Sequence, residues 1–145
     1  MASSASVIVD AGPLVAFLVE SDSHHEWAVA QMARLPAPFL TCDAVLSEAF
    51  FLTRRVPHGP ERFFDLLESG LLMSDFPILR EQPTLRRLIQ KYRDLPMSLA
   101  DACLVRMAEL HPRASVFTVD SDFLIYRKNG RQPIPVIMPP LSRKR

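Results

Sequence analysis

Asp10, Glu48, Asp101 and Asp120 are carboxylates set among apolar or small neighbours, and Asp122 follows two positions after the last. A carboxylate in such surroundings is expensive unless it has a partner or a cation. Several brought into one pocket would repel one another, and a hard divalent cation offsets that repulsion. Mg2+ takes oxygen ligands, keeps several waters and needs only a few protein carboxylates. Two such ions about 3.5–4 Å apart can activate a water and stabilise the leaving oxygen of a phosphodiester. Whether that chemistry is open to this chain depends on the elements that carry the acids.

Val7-Ile8-Val9 is a β-branched run that ends on Asp10, and Gly12 and Pro13 lead into the apolar stretch Leu14 to Val19. This reads as a buried strand, a tight turn and a helix. Pro13 falls near the first helical position, where its missing N–H does least harm. Asp10 then lies at the carboxyl end of a strand, the edge at which open α/β sheets bind ligands. Ser23 to Glu26 fits a capping box for a helix reaching about Leu35. The adjacent His24 and His25 would point about 100° apart on that helix, a poor arrangement for a metal pair. Phe39-Leu40-Thr41-Cys42 reads as a second strand, and Asp43 can cap a helix from Ala44 to about Arg55. On it, Glu48 has Ala44, Val45, Phe51 and Leu52 three and four positions away, which predicts a carboxylate on a buried face.

Further on, a helix from Pro60 carries Phe63, Phe64, Leu66, Leu67 and Leu71. A short strand follows within Leu71 to Phe76. After Pro83 a helix from about Thr84 to Arg93 places Leu85, Leu88, Ile89 and Tyr92 on one side. Ser98 is a natural N-cap with Asp101 as its third helical residue, a complete structural account of that acid. A capping carboxylate can also face a shared pocket, where the helix N-terminus stabilises its charge. Ala114 to Asp120 reads as a strand that ends on an acid as the first does, with Asp122 in the turn and a short helix from Phe123 to Arg127. Asn129-Gly130 marks a turn, and the prolines of Pro133 to Met138 suit an edge strand. Strands alternating with helices favour a parallel sheet covered on both faces.

The 145 residues suit one domain, without internal repeats. Hydrophobic content of 48% and charged content of 23% are ordinary for a globular protein. A net charge of +1 gives no global field toward nucleic acid. Local pairs remain, Arg54-Arg55 and Arg86-Arg87, as weak candidates to hold phosphates, while Arg143-Lys144-Arg145 end a short basic tail expected to be disordered from about residue 141. Cys42 and Cys103 belong to no metal-binding spacing and are expected as reduced core thiols. Residues 1–6 do not open a signal peptide, and no apolar run approaches the ~20 residues of a membrane span, so a cytoplasmic protein is expected.

Four stretches together resemble PIN domains, most closely the VapC-like toxin branch: Val7 to Leu14, Ser47-Glu48-Ala49, Ser98 to Ala102, and Val116 to Phe123. The match runs from Val7 to about Val136. The resemblance implies a three-layer α/β/α sandwich with a central, mainly parallel sheet. It also implies a Mg2+- or Mn2+-dependent ribonuclease. Carried over by motif position, Asp10, Glu48, Asp101 and Asp120 form its acidic quartet. Asp122 would be an auxiliary acid at the metal, and Thr118 a polar residue beside it, with Ser98 as the cap. RNA is the implied substrate, many members pair with a small antitoxin, and homodimers are common. The apolar helices Phe63 to Leu71 and Leu85 to Tyr92 are the expected dimer contacts.

Two other readings compete. A phosphatase or phosphoacceptor on a similar sheet would use Asp10 as nucleophile. The first would want D-x-D where this chain has Asp10-Ala11-Gly12, and the second a lysine better placed than Lys128. A non-catalytic PIN-like module would bind RNA or protein without cutting, against which stands the retention of all four acids.

Overall fold

In the computed structural model, which describes residues 5–140, Val7–Val9 (β1) is buried along its whole length, as a central strand of a parallel sheet must be. The remaining strands are Phe39–Thr41 (β2), Leu72–Ser74 (β3), Ser115–Phe117 (β4), Arg127–Lys128 (β5), Gln132–Pro133 (β6) and Val136–Ile137 (β7). Five of them form one sheet in the order β3-β2-β1-β4-β7, with every pairing parallel. β5 and β6 make a separate antiparallel hairpin around Asn129 and Gly130, both at positive φ. The chain leaves β1 toward β2 and β3 on one side, then returns to β4 and β7 on the other. The strand order therefore reverses between β1 and β4, and the crevice outside their carboxyl ends is where such sheets bind ligands.

Six helices cover the sheet in a three-layer α/β/α arrangement: Ala11–Leu18 (α1), His25–Arg34 (α2), Asp43–Thr53 (α3), Gly59–Glu68 (α4), Ile78–Lys91 (α5) and Leu99–Leu110 (α6). α1 packs on α2, α3 and α4, while α5 packs on α6, which also meets β1 and β4. Ile8, Leu14, Phe39, Leu104, Val116 and Phe117 are fully buried between the layers. Trp27 and Phe39 meet Phe117 edge-on, with centroids 5.2 and 6.3 Å away. Cys42 and Cys103 are buried free thiols. Among the described residues no helix is long and apolar enough to cross a membrane. The expected basic tail lies outside the described residues.

Several boundaries differ from the sequence pattern. α1 begins at Ala11, so Gly12 and Pro13 lie inside its first turn, where no intrahelical donor is needed. The Ser23–Glu26 capping box does not form. His24 precedes α2 without a side-chain cap, and its N–H donates instead to Asp22 Oδ1 at 2.8 Å. α5 starts at Ile78 and runs through Pro83. That proline removes one helical hydrogen bond near the N-terminal end, while Leu85 and Leu88 bury the same helix's apolar side. Ser121–Leu124 forms a 3-10 turn in place of a helix from Phe123 to Arg127.

The α3–α4 turn tolerates no side chain at its closest point. A Cβ on Gly59 would lie 1.9 Å from the Thr53 carbonyl oxygen, a backbone atom that cannot turn aside. Gly59→Ala should therefore lower unfolding free energy by about 1–3 kcal/mol, the usual range for overpacking. Urea denaturation measures this, and an unchanged midpoint would contradict the packing described.

Candidate active site

The two strand-end acids are joined through Thr118. Asp10 is 6% exposed, and its Oδ1 accepts the Ala11 N–H at 2.7 Å, capping α1. The fully buried Thr118 hydroxyl donates to Asp10 Oδ2 at 2.7 Å and accepts the Asp120 N–H at 3.0 Å. Asp120 in turn accepts the Asp122 N–H at 2.9 Å and caps the 3-10 turn. The Asp10 N–H continues the β1–β4 ladder to Phe117 at 3.0 Å. Gly12 lets these pieces meet: a Cβ there would stand 2.4 Å from Val119 Cγ2.

Asp101 forms the capping box that the sequence predicts. Its N–H donates to Ser98 Oγ at 3.0 Å, and its Oδ2 accepts the Ser98 N–H at 3.4 Å. The same Oδ2 accepts the Tyr126 hydroxyl at 3.0 Å. Tyr126 is fully buried, packed edge-on against Phe123 and Tyr92 with centroids 5.1 Å away in each case. The sequence pattern does not single out Tyr126 as functional. Its only signal is the three-residue spacing from Phe123.

Glu48 is placed differently from expectation. The buried side of α3 is Val45, Ala49 and Thr53, and Glu48 stands exposed beside it. Phe51 and Leu52, two of the apolar neighbours that predict burial, are themselves 58% and 51% exposed. Glu48 nevertheless shares the field of the other acids. Partial burial, then Asp101 and Asp120, push its carboxyl above the usual range. Burial pushes Asp10 up to about 6, against the lowering hydrogen bonds from Thr118 and Ala11, with Asp101 and Glu48 adding to the rise. Burial also raises Asp101, against the Tyr126 and Ser98 hydrogen bonds, with Asp120 opposing ionisation. Asp122 stands at the margin, where it and Asp120 add to the burial that holds the Tyr126 hydroxyl protonated.

The four acids thus form one cluster of mutual repulsion. No ion pair among the described residues involves any of them. Nor do three potential ligands close on one point there: each carboxylate other than Glu48 is held by protein donors. This donor set of carboxylate oxygens fits a cation such as Mg2+, which binds through one or two carboxylates and fills the rest of its shell with water. The histidines lie elsewhere, His25 Nδ1 at 2.7 Å from the Ala16 carbonyl and His24 edge-on to Trp27. The basic candidates are not gathered with the acids: Arg54 donates to the Phe51 carbonyl and covers its ring, Arg87 donates to Thr84, and Arg55 and Arg86 are exposed. A cleft of about 400 Å3 between α1, α2 and α4, at the far end of α1 from Asp10, contains none of the acids.

A family model for the PIN domain matches residues 7–129. Among solved structures, the crystal structure of Mycobacterium tuberculosis VapC20, a sarcin–ricin-loop-cleaving toxin, aligns with a TM-score of 0.70 and 19% identity. The alignment covers 81% of this chain and 92% of that one. At that identity the likeness is one of fold. No curated protein matches the sequence.

The raised Asp10 carboxyl has a consequence for stability. Between its ordinary value of 3.8 and about 6, the native state binds a proton that the unfolded chain does not. Asp10 therefore makes the metal-free protein more stable as pH falls from 7 to 5, by about 1.3 kcal/mol of the ~3 kcal/mol that a shift of this size supplies in full only below pH 3.8. Asp10→Asn should raise the metal-free Tm at pH 7 and shrink the gain on acidification. Thermal melts in EDTA at pH 7 and 5 test this. A variant that gains as much on acidification as the unmodified protein would show that Asp10 is not the group responsible.

Proposed function

We propose that this chain, which belongs to the PIN domain family, is a divalent-metal-dependent endoribonuclease and the toxin of a toxin–antitoxin pair. The observation that carries this reading is the cluster of four like charges at the strand-order reversal, with no basic partner among the described residues. Asp10, Glu48, Asp101 and Asp120 would hold Mg2+ or Mn2+ directly or through water, with Asp122 at the margin. When bound, the ion supplies an acidified water and a counter-charge at the phosphorus. The chain's own residues fix the acids. Thr118 and Ala11 orient Asp10, Thr118 and Asp122 set Asp120, and Tyr126 holds Asp101 on the cap made with Ser98.

Asp10 is buried at the end of β1 and would be reached only by an exposed backbone, so single-stranded or looped RNA is the proposed substrate class. The loop-cleaving action named for VapC20 is consistent with that class. A small antitoxin is the proposed partner, and the cytoplasm the proposed site of action, where two free thiols persist. The phosphoacceptor reading finds no support at Lys128, which is buried and donates to the Pro112 carbonyl at 3.1 Å.

Purified protein should cut such RNA with Mg2+ or Mn2+ and not in EDTA. Asp101→Asn keeps the cap and should lower cleavage by at least about 100-fold in a folded protein. Ser98→Ala should cost about 1 kcal/mol of stability and leave most cleavage intact. Tyr126→Phe should weaken metal binding by about tenfold, as outer partners of metal ligands do. Cleavage lost in folded Ser98→Ala but normal in Asp101→Asn would make Asp101 a cap alone and the four-acid reading wrong.

We further propose a homodimer. α5 uses Leu85 and Leu88 inside its own fold, whereas α3 and α4 leave Phe51, Leu52, Phe64 and Leu67 exposed. These four are the proposed contact, with α3 joining α4 in place of the Leu85 to Tyr92 helix named from the sequence. Light scattering should give a dimer at micromolar concentration and a monomer for Phe51→Asp/Phe64→Asp. A monomeric unmodified protein at that concentration would end the idea.

A further inference from the structure

We infer that a second phosphate of the RNA chain is held by Arg87, Lys91 and Arg127 in a cleft between α5, α6 and the β5–β6 hairpin. The identity of this anion rests on the ribonuclease reading above. The cleft measures about 210 Å3, and Thr84, Arg106, Glu109 and Gly130 complete its polar lining.

The charges in it divide into two groups. Arg106 is neutralised, with Nε 2.6 Å from Glu81 and Nη1 3.1 Å from Glu109. The other three cations have neutral partners. Arg87 donates to the Thr84 hydroxyl at 3.1 Å, and Lys91 Nζ to the Gly130 carbonyl at 3.0 Å. Arg127 Nη1 donates to the carbonyls of Leu124, Ile125 and Tyr126 at 2.9–3.1 Å. None of the three makes an ion pair with a described residue. Three like charges around one cleft repel, and an oxyanion that bridges them relieves the repulsion. Guanidinium groups suit phosphate through paired N–H donors, and the lysine adds a point charge.

The cleft is also fixed relative to the acids. The Arg127 N–H donates to the Tyr92 hydroxyl at 2.9 Å. The Tyr92 ring packs on Tyr126, whose hydroxyl holds Asp101. Arg106, on the cleft wall, is five residues along α6 from Asp101, about 7.5 Å of helical rise. A phosphate held at the cleft would thus be tied through Tyr92 and Tyr126 to the element that carries Asp101.

The test is binding of a short labelled single-stranded oligoribonucleotide to the full chain in EDTA, so that cutting plays no part, across a salt series. Arg87→Glu/Lys91→Glu changes two exposed side chains and leaves Arg127 in place. Binding should weaken by at least about tenfold, and the slope of log K against log salt should become shallower by about 0.7, the value for one lost phosphate contact on a single strand. The charge-matched variant Arg34→Glu/Arg80→Glu, on α2 and the start of α5, should change neither. An unchanged slope in the first variant, an equal loss in the second, or no binding by the unmodified protein would overturn the cleft assignment. Salt-sensitive binding lost with Arg87 and Lys91, in a protein that never cuts RNA with Mg2+ or Mn2+, would support the cleft and overturn the ribonuclease reading instead.

Discussion

One buried hydroxyl sets the distance between the two strand ends that carry acids. Thr118 uses its proton on Asp10 and its lone pair on the Asp120 N–H. Valine would fill the same space with neither interaction. Asp10 would then keep only its Ala11 partner, and a buried charged group that loses a hydrogen bond costs about 1–3 kcal/mol or more. The placement of Thr118 follows from the sheet. Val116 and Phe117 are buried on a central strand, and the next residue emerges beside β1 at the reversal of strand order. Gly12 completes the arrangement by letting α1 begin against Val119.

The protein treats its charges unequally. Three acids elsewhere are ion-paired: Glu81 and Glu109 flank Arg106, and Glu20 meets Arg62 at 3.1 Å. At the carboxyl edge of β1 and β4 the acids oppose one another, and Glu48, Asp101 and Asp120 each raise the proton affinity of a neighbouring acid. A sequence selected for stability alone would have relieved that conflict with a lysine or an amide. Local conflict in an otherwise consistent fold is what supports the proposal of a site there.

Asp10, Asp101 and Asp120 were legible because each is tied to a local rule, a strand end or a helix cap. Glu48 shows where such rules stop. Apolar residues at three and four positions identify a helix, but they do not say which stripe is buried. Here Val45, Ala49 and Thr53 face inward while Phe51 and Leu52 face out. The two S-x-x-acid patterns make the same point. Ser98 and Asp101 close a box, whereas at Ser23 the Asp22 side chain captures the His24 N–H and the helix begins later. Pro83 inside α5 reflects tertiary packing overriding a local signal. Tyr126 was illegible because its role depends on a partner 25 residues away.

The bond between Thr118 and Asp10 spans 108 residues of chain. Synthesis proceeds from the N-terminus, so β1 is made long before the strand that completes its acid cluster. A nascent chain that has not reached residue 118 has Asp10 and Glu48 but lacks the hydroxyl and the Asp120 that belong beside them. The centre thus cannot assemble until residues 118 to 120 have been made, and a product that stops short of them lacks it. If the chain has the ribonuclease activity proposed above, this order would keep copies that stop before residue 118 harmless to the messenger from which they are read.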